Sequence, residues 1–208
     1  TWGDTLRADA QDGTLARFPS IAVVPGAGPV VQYMQFTSGF EEARYVTRHM
    51  MGGAFMAPVP LSAPFSPGYV CDCCPGQIEA DGNTVVGLYR NAGSNQRVIW
   101  GASSTNGGMD FDNGAMLDET NWTISSCPSS GPDAYMAGDS VRYVWMSGAG
   151  GTTRVYIRSA HLPELTPGTQ RKVQGTLPGG ITQNFPRIAG SGDTLGVVWQ
   201  HIGGGNSA

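Results

Sequence analysis

Lysine is almost absent from these 208 residues: Lys172 stands beside eleven arginines, and charged residues of all kinds make only 13%. That is about half the share usual in soluble domains. With 12 basic against 16 acidic residues and a net charge of −4, no cationic stripe exists to neutralise phosphates, which excludes nucleic acid as the expected partner. No apolar run approaches the ~18 residues that span a bilayer, so no membrane span is expected. The first residues do not read as a signal peptide. The chain opens on Thr1, not methionine, and is expected to be a processed or fragmentary form whose targeting information lies elsewhere. Helix-favouring composition is also missing. Gly 31 and Pro 14 occupy 45 of the 208 positions, which excludes a helical bundle or coiled coil.

What the sequence does have is a repeat. Gly26, Gly82, Gly138 and Gly192 are spaced by 56, 56 and 54 residues, and each is followed seven positions later by an aromatic: Tyr33, Tyr89, Trp145 and Trp199. Pro19, Pro75, Pro132 and Pro186 precede the glycines in the same phase. Between glycine and aromatic lie β-branched, apolar strings such as Thr84-Val85-Val86-Gly87-Leu88, which read as strands buried on both faces. Gly-Asp and Asp-Gly-Asn stretches before them are hairpin chemistry. Asp81, Asp139 and Asp193 are therefore assigned to turns. A third strand opens on Arg44, Arg97 and Arg154 in the first three copies; these arginines are expected in edge or inter-blade salt bridges.

Units of three or four antiparallel strands recurring every ~50 residues are the pattern of propeller blades. An irregular β-sandwich is the alternative. The expected fold is thus all-β, a β-propeller of four-stranded antiparallel blades. Residues 1–208 form one propeller domain or a fragment of one, with repeats starting near 19, 75, 132 and 186.

After the third strand of the second copy comes Ser104-Thr105-Asn106-Gly107-Gly108-Met109-Asp110-Phe111. This resembles the Asp-box, or bacterial neuraminidase repeat, with Asn106 where aspartate usually stands. Asn also folds its side chain onto nearby amides, Gly108 supplies permissive dihedrals and Phe111 plugs the hairpin into the blade. Gly52 and Phe55 keep part of the pattern in the first copy. The resemblance implies a sialidase-like propeller, usually six-bladed, of which this chain holds three full copies and the opening of a fourth. A four-bladed ring closed by residues 1–18 is the competing reading.

The cysteines are Cys71, Cys73, Cys74 and Cys127, and their number fits disulfides, a thiolate metal site or redox thiols. In the propeller frame Cys71 and Cys127 lie one period apart, so a Cys71–Cys127 bridge would staple adjacent blades. Cys74–Cys127 is an alternative, and Cys73 and Cys74 would then be vicinal or free. A Cys71, Cys73, Cys74 thiolate cluster holding copper(I) or zinc is the further alternative, with His49, His161 and His201 all placed away from it.

Sialidases of this fold use three arginines, a tyrosine with a glutamate partner and an acidic aspartate. The candidates here are Arg187 in Phe185-Pro186-Arg187-Ile188, Asp133, Tyr135 and Glu79, with no recognisable arginine triad. Asp110-Phe111-Asp112-Asn113-Gly114 resembles part of a calcium loop without its full ligand spacing, and calcium there is the alternative to a cofactor-free module. Asn121-Trp122-Thr123 fits an N-glycosylation acceptor. Trp2, Trp100 and Trp122 fall outside the repeat and either stack on sugars or pack the blades. The sequence therefore reads as a secreted or periplasmic binding or structural module that needs no cofactor and takes a glycan or protein surface. It would work alongside other domains or subunits of a larger extracellular assembly. An exo-acting glycoside hydrolase and a metal-thiolate protein are the alternatives.

Overall fold

Four consecutive antiparallel sheets follow the sequence period, each beginning with the strand pair that flanks a repeat glycine. The computed structural model describes residues 3–203 apart from Ser38, Pro178 and Asp193; Trp2 and Asp193, singled out above, lie outside the described residues. The first sheet holds β1 (Leu15–Val24), β2 (Gly28–Phe36), β3 (Arg44–Met51), β4 (Ala54–Phe55) and β5 (Val59–Pro60). The second holds β6 (Gln77–Asp81), β7 (Thr84–Arg90), β8 (Ile99–Ser104) and β9 (Asn113–Met116). The third holds β10 (Asp133–Ala137), β11 (Ser140–Ser147), β12 (Arg154–His161), β13 (Thr166–Pro167) and β14 (Arg171–Lys172). The fourth is the hairpin β15 (Thr182–Ser191) and β16 (Thr194–Ile202).

First strands meet first strands: β1 touches β6, β6 touches β10 and β10 touches β15. Successive sheets thus share an inner edge, the arrangement of propeller blades around an axis. The hairpins joining first to second strands project at one end of the blades. At the other end, the β7–β8 connection meets the segments leading into its own inner strand and into the next, as the bridges Val70–Asn91 and Gln96–Thr123 record. We call this the loop-bearing end.

Two of the repeat aromatics, Tyr89 and Trp145, point toward the preceding blade. Tyr89 joins Val24, Val30, Met34 and Tyr45 of the first blade in one core, and Trp145 joins Val86, Leu88 and Ile99 of the second in another. The residue before each aromatic points the other way, so Gln32, Leu88 and Val144 are all buried against the following blade. The fourth member of that series, Val198, is 67% exposed. A matching difference marks the opposite end of the row. Ile21, Ile78, Ala134 and Ile188 occupy one cross-strand position, opposite Val31, Gly87, Tyr143 and Val197. The last three of the series are buried, whereas Ile21 is 63% exposed. Both end blades therefore present, to solvent, faces that the inner blades bury. On the first blade Ala8 of the N-terminal segment and Phe55 of β4 pack against Tyr33, Val31 and Val46.

Two features depart from the sequence reading. The first strand of the first blade starts at Leu15, before Pro19, and breaks register between Arg17 and Ser20; β15 does the same between Asn184 and Arg187. In both bulges a Phe-Pro pair carries a positive φ on the phenylalanine, 52° at Phe18 and 48° at Phe185. An extra residue in a left-handed conformation re-aims the strand, and proline following it removes a ladder donor that the bulge leaves unpaired. The arginine-led strands also behave differently: β8 starts at Ile99, leaving Arg97 buried in the loop before it.

Candidate functional site

All four cysteines meet at the loop-bearing end, where the second and third blades join. The Cys71 amide donates to the Arg90 carbonyl of β7, and the Cys74 amide closes a turn onto the Cys71 carbonyl. That turn sends Cys71 and Cys74 into the interior and puts Asp72 and Cys73 at its outer corner. Cys73, not Cys71 or Cys74, therefore forms the disulfide with Cys127, at a Cα separation of 6.3 Å across 54 residues. The one-period expectation of Cys71–Cys127 fails because the turn, and not the period, sets which sulfur faces outward. Cys71 and Cys74 are buried free thiols. The Cys71 sulfur lies 3.5 Å from that of Cys73, and the Ser129 hydroxyl lies 3.2 Å from that of Cys127.

Sulfur atoms of Cys71, Cys73 and Cys74 lie within 4.8 Å of one another, and among the described residues no other group of three ligating side chains does so. The three-thiolate alternative is altered by the disulfide, which leaves two of these sulfurs free to ionise. The histidines are elsewhere. His49 faces the carbonyls of Gly107 and Ala27 at the hairpin end of the blades, His161 lies 3.6 Å from Asp139, and His201 is exposed on β16.

Beneath the sulfurs sits a buried polar nest. Arg90 is fully buried and donates through Nε to Ser130, through Nη1 to Arg97 and through Nη2 to Met146, all at backbone carbonyls. Its guanidinium also lies 5.5 Å from the Trp122 ring centre. Trp122 is thus a packing residue, as is Trp100, which lies against the core of the first two blades. The Asn91 amide, Arg97 Nε and Nη1, the Ser130 hydroxyl and Asp118 Oδ2 are buried and bond to no protein group. Burial raises the Asp118 pKa. The neighbouring Cys74 thiol, the Cys73 amide and the Arg97 and Arg90 cations hold the Cys71 thiol down at about 7, against the opposing effect of burial. Burial pushes the Cys74 thiol up instead. One member of the pair is thereby prepared as a thiolate near neutral pH, with a buried cation facing it.

Arg97 and Trp122 stand out in the sequence, but Arg90, Asn91, Asp118 and Ser130 do not, although for Arg90 a signal is present. At the position eight residues after each repeat glycine, Met34, Arg90, Met146 and Gln200 align, so Arg90 is a charge where two neighbouring copies bury methionine.

Of the residues expected from sialidase chemistry, Glu79, Asp133 and Arg187 stand on the inner strands of successive blades, where the Asp133 charge reaches Glu79 and the Arg187 charge reaches Asp133. Asp133 Oδ2 accepts the Ile188 amide at 2.8 Å, tying the third inner strand to the fourth. Ser20 Oγ accepts the Ile78 amide at 3.2 Å between the first and second blades. Asp133 thus has the inter-strand role that serine has two blades earlier. Tyr135 packs on Gly190, where a Cβ would lie 2.4 Å from its ring. Arg187 is exposed and reaches only the Pro186 carbonyl. Glu79 accepts from Gln77. Burial first, and then the Asp133 charge, raise the Glu79 pKa; burial also raises that of Asp133, against the Ile188 amide and Arg187.

Nor do the repeating arginines form the expected salt bridges. Arg44 lies over the Tyr69 ring at 4.2 Å, and Arg154 donates to the carbonyls of Thr153 and Ile181. Carbonyl and ring acceptors take the place of carboxylates at Arg44 and Arg154. Of the turn aspartates, Asp81 accepts the Gly138 amide of the next blade and Asp139 accepts from Ser140.

The β8–β9 hairpin is built by side chains. Ser104 Oγ accepts from the amides of Asn106 and Gly108, while Asn106 Oδ1 accepts from those of Met109 and Asp110. Asn106 Nδ2 donates to Asp110, so this carboxylate of the calcium-like string serves the hairpin itself. Phe111 is buried in the core of the first two blades.

A second surface feature lies on the loop-bearing end of the first blade. Phe40 is 53% exposed and Tyr69 42% exposed. Arg17 lies 5.7 Å from the Phe40 ring centre, Arg44 covers Tyr69, and the Tyr69 hydroxyl donates to Glu42. Each ring thus has a guanidinium over one face and stays partly exposed.

Inner-edge contacts between successive antiparallel blades define a β-propeller. No protein-family model and no curated protein matches the sequence. Solved structures do match in fold. The GH93 α-L-arabinofuranosidase of Fusarium graminearum aligns with a TM-score of 0.67 at 9% identity, over 97% of this chain and 61% of its own. A Dyadobacter fermentans protein of unknown function aligns at 0.64 and 12% identity, over 95% and 65%. A subtype N10 neuraminidase-like protein of a little yellow-shouldered bat virus aligns at 0.55 and 10%, over 91% and 52%. The chain therefore spans about half to two thirds of the length of these structures, which share its propeller fold. No helix among the described residues is long and apolar enough to cross a membrane.

Proposed function

We propose that the protein is a sialidase-like propeller module that binds a glycan without hydrolysing it, in an oxidising compartment outside the cytoplasm. One observation carries this reading: Phe40 and Tyr69 present partly exposed rings, each with a guanidinium over one face, Arg17 and Arg44, on the loop-bearing end. Sugar rings stack on exposed aromatic faces, and guanidinium groups take their hydroxyls or carboxylates. The side chains that hydrolysis would call on are committed elsewhere, Asp133 to the Ile188 amide and Tyr135 to Gly190. The disulfide supports an oxidising location. The exposed faces at Ile21 and Val198 support a ring continued by further blades of the same kind, as in a six-bladed propeller.

Isothermal titration with α-sialosides and arabinan oligosaccharides tests the reading. Binding without turnover is expected, weakened at least tenfold in Phe40→Ala/Tyr69→Ala. Turnover of a fluorogenic sialoside by the whole gene product, or unchanged binding by the double variant, would overturn it.

A further inference from the structure

We infer that the four cysteines form a thiol–disulfide exchange centre, in which the surface disulfide Cys73–Cys127 and the buried dithiol Cys71/Cys74 interconvert within one chain. The geometry carries the inference. A buried thiol stands 3.5 Å from one sulfur of an existing disulfide. A second buried thiol lies within 4.8 Å of both Cys71 and Cys73. The outer sulfur, on exposed Cys127, has the Ser129 hydroxyl at 3.2 Å. Exchange requires an attacking thiolate, an accessible central sulfur and a leaving thiolate that its surroundings can stabilise. Each is present: the Cys74 thiol, the Cys73 amide and then the Arg97 and Arg90 charges favour a thiolate at Cys71, and water and Ser129 receive the one that leaves.

The Cys71 thiolate attacks Cys73 Sγ. A Cys71–Cys73 bond forms as the Cys73–Cys127 bond breaks, and Cys127 departs with the electron pair as a thiolate. Cys74 then loses its proton to that thiolate, attacks Cys71 Sγ and releases Cys73 as a thiolate. The disulfide has moved from Cys73–Cys127 to Cys71–Cys74. Two thiols and one disulfide remain, so neither oxidant nor reductant is consumed. The new isomer carries its thiols at the molecular surface, where the starting one carries them inside. The loop-bearing end thereby acquires a dithiol that can be withdrawn.

Maleimide trapping of the intact protein without reductant tests this. In excess maleimide, Cys127 can be alkylated only after the exchange has released it, and peptide mapping then reads Cys127 adduct together with a Cys71–Cys74 linkage. Because the attacking group is a thiolate titrating at about 7, the trapping rate should rise nearly tenfold per pH unit below 7 and level off above it. Cys71→Ser should lower Cys127 labelling at least a hundredfold. Cys74→Ser should leave Cys127 labelled with a Cys71–Cys73 linkage. If either variant fails to fold, wild-type labelling and its pH profile decide. No Cys127 adduct in the wild type between pH 5 and 8, or a metal ion bound by these sulfurs in place of the disulfide, would overturn the proposal.

Discussion

Arg90→Met is expected to lower the free energy of unfolding by about 4 kcal/mol, because it leaves several buried carbonyls without a donor at once. Methionine fits the site, since the equivalent positions hold Met34 and Met146, both buried. The loss therefore reflects hydrogen bonding and not volume. Arg90 joins the Ser130 carbonyl leading into the third blade, the Arg97 carbonyl of the β7–β8 loop and the Met146 carbonyl of β11. Arg90→Lys should recover little, because one ammonium cannot spread its donors as a planar guanidinium does. Urea denaturation at pH 7 measures the difference. A loss below about 1 kcal/mol would mean that the loops re-satisfy their carbonyls without it.

Trp145→Ala should cost a similar amount, about 4 kcal/mol, through the cavity left in a close-packed core. Trp145 is fully buried, stacked between Tyr143 at 5.4 Å and Tyr156 at 5.6 Å between ring centres. Its indole nitrogen has no protein partner. Trp145→Phe, which removes that nitrogen and keeps most of the ring, should cost only about 1–2 kcal/mol. Equal losses for the two variants in urea denaturation would show that the ring does not carry the packing between the second and third blades.

How much of this was legible beforehand follows from the range over which each feature is decided. Gly26, Gly82 and Gly138 adopt positive φ in tight hairpins, and Tyr89 and Trp145, seven residues after the last two, face one neighbouring blade each. Both are local consequences of strand alternation, so the blade period and the all-β fold could be read directly. The Ser104–Phe111 hairpin is likewise written in neighbouring residues. The disulfide partner was not legible: Cys71, Cys73 and Cys74 all lie near one period from Cys127, and only the turn closed by the Cys74 amide decides which sulfur faces out. Asp133 and Arg187 matched an enzyme pattern by residue type. Their use depends on the next blade, where the Ile188 amide takes up the Asp133 carboxylate. The bulges at Phe18 and Phe185 were hidden because proline, by itself, signals a strand edge as readily as a bulge.

Three blades and the opening hairpin of a fourth share one inner edge, and the proposed ring places further blades against the exposed faces at Ile21 and Val198. Hydroxyl-radical footprinting of the whole gene product addresses this most directly, because side-chain oxidation follows solvent access without substitution. Protection of Ile21 and Val198 to the level of Ile78 and Val144 is predicted. Oxidation of Ile21 and Val198 many times faster than that of Ile78 and Val144 would contradict it.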